Sequence, residues 1–133
     1  MESSEVYNLL KDHGIRPSRQ RVLIFQDLYR NKDFPTAEDI FLKLKNEIRS
    51  LSKTTVYNTM KLFEEHGLVR FIPTKGNENK YTLIEDNMAY FYCINCDSVQ
   101  SVKLKTIPEM EEDPNLEVRD AVIIFKGKCK NCN

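Results

Sequence analysis

Several common functional materials are scarce or missing in this chain of 133 residues. It holds only two histidines, His13 and His66, which leaves little for histidine-based catalysis. It contains no glycine-rich phosphate loop, no nucleophile–base pair and no open metal motif, so an enzyme is not expected. No apolar run approaches the ~18–20 residues a membrane span needs. Residues 1–5 lack the apolar core of a secretory signal. Mean hydropathy is −0.52. A cytoplasmic protein with no membrane partner is the expectation. Net charge is also missing, because twenty Lys+Arg balance twenty Asp+Glu. Nucleic-acid binders usually carry a basic excess, so the whole-chain balance argues against one.

Split at residue 83, the balance changes. Residues 1–83 carry 14 basic and 11 acidic side chains, a net +3. Residues 84–133 carry 6 and 9, a net −3. The helical signals lie in the first part and all four cysteines in the second. The pattern predicts domains at 1–83 and 88–133, joined by a linker at 84–87. Helix 1 is expected over about 3–12, closed by Gly14. Helix 2 starts at Pro17-Ser18, and helix 3 at Pro35-Thr36 with Thr36 as N-cap and Asp39 three residues in. Helix 4 starts at Ser52. Leu51 can staple onto Val56, and Val56, Met60 and Phe63 form one inward stripe. Gly67 ends it, with Leu68 making the accompanying apolar contact.

The opposite face of helix 4 carries Thr54, Tyr57, Asn58 and Lys61, with Ser52 and Thr55 at its start. A solvated face more often shows Glu/Lys pairs. Short hydroxyl and amide groups with one aromatic and one lysine suit groove contacts instead. Residues 69–73 and 80–83 read as a hairpin with Lys75 at its tip. Helices 2 to 4 plus this hairpin make a winged helix-turn-helix, with helix 4 as recognition helix. Arg16, Arg19 and Arg21 lie around the start of helix 2, where phosphates can dock. A solvated surface charge is the competing reading for each arginine alone. In the second part, strands are expected at 88–92, 99–104 and 118–126, with a short helical segment after Pro108.

The cysteines form two pairs, Cys93/Cys96 and Cys129/Cys132, each with two residues between its members. Thirty-two residues separate Cys96 from Cys129. Two such knuckles bring four thiolates to one zinc ion in a tetrahedron. A closed shell of four thiolates has no open coordination position, so the zinc reads as structural, one Zn2+ per subunit. Oxidation of these thiolates as a switch is the minority reading. About fifty residues bury little core alone, so this part needs a metal, a partner subunit or both.

The order of these parts resembles the ferric uptake regulator (Fur) superfamily. The resemblance rests on residues 14–21 (Gly-Ile-Arg-Pro-Ser-Arg-Gln-Arg), 35–41 (Pro-Thr-Ala-Glu-Asp-Ile-Phe) and 52–61 (Ser-Lys-Thr-Thr-Val-Tyr-Asn-Thr-Met-Lys). His66-Gly67-Leu68-Val69 and both cysteine pairs continue it. It implies an α+β chain: an N-terminal winged helix, then a small α/β dimerisation domain with the four-cysteine zinc site. The implied function is a homodimeric repressor on palindromic double-stranded DNA. By position, Tyr57 corresponds to the family's base-contacting aromatic and Arg16 to its minor-groove basic residue.

The departures concern a second, regulatory metal site that members usually carry. Its histidine before Pro-Thr-Ala is Phe34 here, and its His-x-His run is Met88-Ala89-Tyr90. The acidic ligand near the end of the wing aligns with Thr82, and a further acid roughly with Ser101. The stretch between the cysteine pairs is also a few residues shorter than is typical. None of these residues suits a divalent ion, so metal sensing is in doubt and the effector, metal or small molecule, is open. His13 and His66 read as helix-end residues rather than ligands. Glu85, Asp86, Glu109, Glu111, Glu112 and Asp113 read as solvated charge. Two other classes compete with the repressor reading: a thiol-based redox sensor and a zinc-ribbon module for protein interaction.

Overall fold

The computed structural model describes residues 1–76, 78–86 and 88–133. Asn77, in the expected hairpin loop, and Asn87, in the expected linker, lie outside the described residues. The chain divides into two units, Met1–Ile84 and Glu85–Asn133.

The first unit runs α1 (Ser3–Asp12), α2 (Arg19–Arg30), α3 (Ala37–Leu44), α4 (Lys53–Glu65), β1 (Val69–Ile72) and β2 (Lys80–Leu83). Local chemistry sets each boundary. Ser18 Oγ accepts the Arg21 amide at 3.2 Å to open α2. Thr36 and Asp39 exchange bonds of 3.1 and 3.0 Å to open α3. Ser52 Oγ accepts the Thr55 amide at 3.1 Å to open α4. Both α1 and α4 end in a left-handed glycine, Gly14 (φ 76°) and Gly67 (φ 77°). The Ile15 and Leu68 amides then reach back to the Leu10 and Phe63 carbonyls at 2.8 and 2.9 Å. This satisfies carbonyls that the helix leaves unpaired. The two ends are tied together, because His66 Nδ1–H donates to the His13 carbonyl at 2.7 Å. His13 Nδ1–H donates to the Leu9 carbonyl at 2.9 Å.

The core gathers Val6 and Leu10 of α1, Ile24, Phe25 and Leu28 of α2, Ile40 of α3 and the inward stripe of α4. Val56, Met60 and Phe63 are each fully buried. Such side chains contribute about 1.5–3 kcal/mol apiece. Their burial fixes the azimuth of α4, and so fixes which of its residues face outward. Strands β1 and β2 pair antiparallel with Val69 opposite Leu83 and Ile72 opposite Lys80.

The second unit is a sheet in the order β4-β3-β5, with β3 (Met88–Cys93) at its centre. β4 (Val99–Lys103) is antiparallel to β3, and β5 (Ile124–Gly127) is parallel to it. Two expectations fail here. The segment after Pro108 forms no helix. Only residues 109–113 separate Pro108 from Pro114, and four of them are acidic. Five residues cannot meet the nucleation cost, like charges crowd, and Pro114 disfavours helical geometry at Asp113. The third strand covers Ile124–Gly127 rather than 118–126. Tyr90 pairs with Ile124 and β3 begins at Met88, so residues upstream of 123 find almost no strand to pair with. Ile107, Met110, Leu116 and Val118 in this irregular stretch are more than half exposed.

Asp27 on α2 is the costly group of the first unit. Its carboxylate is buried, 3.7 Å from Lys43 Nζ on α3, and accepts from Asn31 Nδ2 at 3.0 Å. Among the described residues its Oδ2 has no hydrogen-bond partner. Burial pushes its pKa above the ordinary carboxylate value, more than Lys43 pulls it down. The native state therefore holds this proton more tightly than the unfolded chain, and stability falls as pH rises through that range. Asp27→Asn should gain stability relative to the parent between pH 4 and pH 7 in urea unfolding. A difference independent of pH would contradict this.

Candidate nucleic-acid interface and metal centre

The outward arc of α4 carries Thr54, Tyr57, Asn58 and Lys61, all exposed, with Thr55 half-buried at its edge. Ser52 is the N-cap, and its hydroxyl lies 2.9 Å from Thr55 Oγ1. On one side of this arc α4 meets the start of α2 across a cleft of about 580 Å3. Arg16, Ser18, Gln20 and Arg21 line one wall, and Thr55, Asn58 and Thr59 the other. Four predicted residues, Arg16, Arg21, Thr55 and Asn58, thus share one concave surface. The Arg21 guanidinium donates to the Arg16 carbonyl at 2.7 Å, so it braces the loop that carries Arg16. Arg19, Thr54, Tyr57 and Lys61 lie outside the cleft, and Lys75 is exposed in the β1–β2 loop.

On the other side of the arc the structure adds partners that sequence reasoning missed. The Tyr57 hydroxyl donates to Glu78 Oε1 at 2.8 Å. That bond, with burial secondary, raises the Tyr57 pKa. Lys53, first residue of α4, sits 3.0 Å from Glu38 Oε1 of α3. On the cleft side, Gln20 donates to Ser50 Oγ at 3.0 Å. Lys53 could have been found from its place one turn before Tyr57. Glu78 and Gln20 carry no local signal, since each acts through a distant segment.

In the second unit the four predicted ligands come together. The sulfurs of Cys93, Cys96, Cys129 and Cys132 all lie within 4.8 Å of one another. A tetrahedron with zinc–sulfur bonds of ~2.3 Å has edges of about 3.8 Å. The Cys96 and Cys129 sulfurs are 3.7 Å apart. The first knuckle is shaped by backbone bonds, Cys93 N–H to the Ser98 carbonyl at 2.9 Å and Asp97 N–H to the Cys93 carbonyl at 3.0 Å. Asp97 takes the left-handed conformation (φ 66°), and Tyr92 donates to its carboxylate. The Ile94 amide reaches the Gly127 carbonyl at 2.8 Å, which joins the knuckle to β5.

The electrostatics fit a dication. The amides of Cys96 and Cys129 point at Cys93 Sγ, 3.5 and 3.3 Å away, and hold its thiol down at about 6. The hydroxyl of Ser98, then its amide, lowers Cys96. Asn95 favours the Cys132 thiolate, yet the neighbouring Cys129 and Cys96 sulfurs push that thiol up to about 11. Four sulfurs cannot all ionise together unless positive charge joins them, and donor number, spacing and amide support fit zinc. Among the described residues this is the one cluster of three or more such ligands.

At the positions where the resemblance implies regulatory ligands, Phe34 and Ala89 have no donor atom, and Thr82, Tyr90 and Ser101 offer only hydroxyls. Phe34 is buried and left-handed (φ 57°), a strained conformation for a bulky residue. Ala89 and Tyr90 are buried on β3, Thr82 is half-buried on β2, and Ser101 is exposed on β4. His13 and His66 are both helix-end residues.

Comparisons with known proteins bear on the fold and the family. The chain is 28% identical to the "Peroxide operon regulator" of Bacillus subtilis, over 99% of this chain and 94% of the relative. It superposes on the ferric uptake regulator of Helicobacter pylori, described as having three functional metal binding sites. The TM-score is 0.72 at 15% identity, over 99% of this chain and 94% of that one. Against PerR of Streptococcus pyogenes, described in terms of peroxide sensing and gene regulation, the TM-score is 0.57. Identity there is 19%, over 98% of this chain and 92% of that one. The fold is the α+β fold of these regulators, with a four-cysteine cluster. No described helix is long and apolar enough to cross a membrane. The sequence pattern of the ferric uptake regulator family matches residues 12–121, and the chain belongs to that family, whose members are dimeric DNA-binding transcriptional regulators and not enzymes.

Proposed function

We propose that this protein is a homodimeric transcriptional repressor that reads a palindromic operator through α4. The first unit is then the winged helix-turn-helix, and the second a dimerisation domain built around one structural zinc per subunit. The observation that carries the reading is the cleft where Arg16 and Arg21 stand beside Thr55 and Asn58 of α4. Cationic groups that reach phosphates thus adjoin short donors and acceptors that reach base edges, the pairing a groove-reading helix needs. Arg16, Arg19 and Lys75 are assigned to the backbone or an adjacent groove. Ser52, Thr54, Thr55, Tyr57, Asn58 and Lys61 are assigned to the major groove, and Arg21 to bracing and phosphate. The exposed apolar residues of the irregular stretch suit burial against a second copy.

Zinc supplies the charge that four thiolates lack and ties the β3–β4 knuckle to residues 129–132. The regulatory input is not the second metal site that relatives use. Phe34 and Tyr90 offer a buried ring and a phenol where the family pattern has histidines, which supports repression without an iron or manganese corepressor.

Three outcomes test this. Tyr57→Ala should weaken binding to a selected operator by at least about 1 kcal/mol. Unchanged affinity in an anisotropy titration would remove α4 from the reading role. Purified protein should hold one zinc per chain, and Cys93→Ser should lose it together with the cooperative melting of the second unit. A metal-free variant with an unaltered melting temperature would refute a structural role. Adding Fe(II) or Mn(II) to zinc-loaded protein should leave operator affinity within about twofold, a shift of less than ~0.5 kcal/mol. A strong rise would restore metal sensing.

A further inference from the structure

One hydrogen bond joins the outward face of α4 to the loop between β1 and β2. Tyr57 is 41% exposed, so packing alone does not fix its ring. Its hydroxyl donates to Glu78 Oε1 at 2.8 Å. A phenol donating to a carboxylate makes one of the stronger side-chain bonds. Glu78 is itself held. Thr74 Oγ1 donates to the Glu78 carbonyl at 3.2 Å across the loop, and the pairing of Ile72 with Lys80 closes the loop's base. One turn earlier on α4, Lys53 is held by Glu38 at 3.0 Å. Two neighbouring outward side chains are therefore each engaged by an acid from a flanking element.

We propose that Glu78 is a specificity-determining positioning residue, which holds the Tyr57 hydroxyl so that the ring is presented ready-oriented to a base edge. The proposal rests on the DNA-binding reading above. The hydroxyl has a single proton to donate, and Glu78 takes it. Its oxygen can still accept, but what the bond orients for DNA is the ring, whose contact with a base is apolar and depends on orientation. Glu78 also sets a negative charge on a surface that phosphates approach. That charge weakens binding to every sequence alike. The same carboxylate thus widens the margin between specific and non-specific DNA through orientation, while its repulsion weakens binding to all sites alike and leaves that margin unchanged.

Substitution separates orientation from charge. The probes are a duplex enriched from a randomised pool by zinc-loaded wild-type protein and a scrambled duplex of the same composition. Wild type, Glu78→Gln, Glu78→Ala and Tyr57→Phe are titrated on both by anisotropy, with thermal melts as a folding control. Both Glu78 variants lose the charge, so both should bind the scrambled duplex about twofold more tightly. Only Glu78→Ala loses the acceptor. Its specificity ratio should fall about threefold to tenfold, the cost of ordering one freed side chain. Glu78→Gln, whose amide oxygen still accepts, should keep the wild-type ratio. Tyr57→Phe should match Glu78→Ala, and a variant carrying both Tyr57→Phe and Glu78→Ala, titrated alongside them, should be no worse than either. Equal ratios for the two Glu78 variants, or a wild-type ratio for Tyr57→Phe, would overturn the proposal while leaving DNA binding intact. If wild type enriches no sequence, the DNA-binding reading itself fails and takes this role with it.

Discussion

The outward chemistry of the first unit depends on one inward contact. Phe63 of α4 meets Phe25 of α2 edge to face, with ring centroids 6.0 Å apart and planes at 80°. Such a pair adds about 0.5–1.5 kcal/mol to the area it buries. Its larger consequence is geometric. A helix whose inner stripe is locked has no freedom to roll, so burying Val56, Met60 and Phe63 determines that Tyr57 and Asn58 face outward. The Ser52 cap and the Gly67 stop fix where that face begins and ends. The His66 bond to the His13 carbonyl then ties the far end of α4 to the turn before Arg16. The cleft between Arg16 and Asn58 follows from these constraints acting together.

The second unit is stabilised on different terms. Its fully buried residues are few, chiefly Ala89, Tyr90 and Cys93 on the central strand, while Phe125, Leu116 and Val118 stay exposed. A sheet of three short strands cannot offset its ordering entropy from so little buried area. The cluster of sulfurs is placed to supply the difference. Cys93 belongs to the end of β3 and Cys129 follows β5, so an ion on all four thiolates would close the sheet's end. The first unit thus meets its entropic cost by apolar packing, whereas the second would draw on coordination at its four sulfurs, on burial against a second copy, or on both.

How much of this was legible in the sequence follows the range of the forces involved. Caps, stops and stripes act within one turn, and Ser18, Thr36, Ser52, Gly14 and Gly67 all do what their residue types suggest. The cysteine spacing was equally readable, because two residues between ligands is itself the geometric requirement. The failures lie where partners are remote. Residues 118–123 are β-branched and apolar enough for a strand, yet β3 is too short to pair with them. Phe34 read as an absent histidine; its burial and left-handed backbone could not be read from neighbours alone. Glu78 carries no local signal, and only the fold of β1 against β2 brings it to Tyr57. Arg21 read as a phosphate ligand, and the structure gives its guanidinium a carbonyl partner first.

The zero net charge takes its meaning from this placement. The excess of +3 in residues 1–83 is small, and part of the basic charge near α4 is already engaged, Lys53 by Glu38 and Arg21 by the Arg16 carbonyl. A surface so arranged attracts a polyanion weakly at long range, because acids on the same face offset part of the field. It can still bind one site tightly if short-range contacts are ready-made, since oriented groups lose little entropy on docking. Strong non-specific affinity would hold such a protein on the vast excess of wrong sequence, where bulk charge helps equally everywhere. Low net charge with braced side chains is the composition that favours the ratio over the affinity. On the proposed reading, the balance of twenty against twenty suits a selective DNA reader, and the acids beside α4 would belong to the reading surface as much as its lysines do.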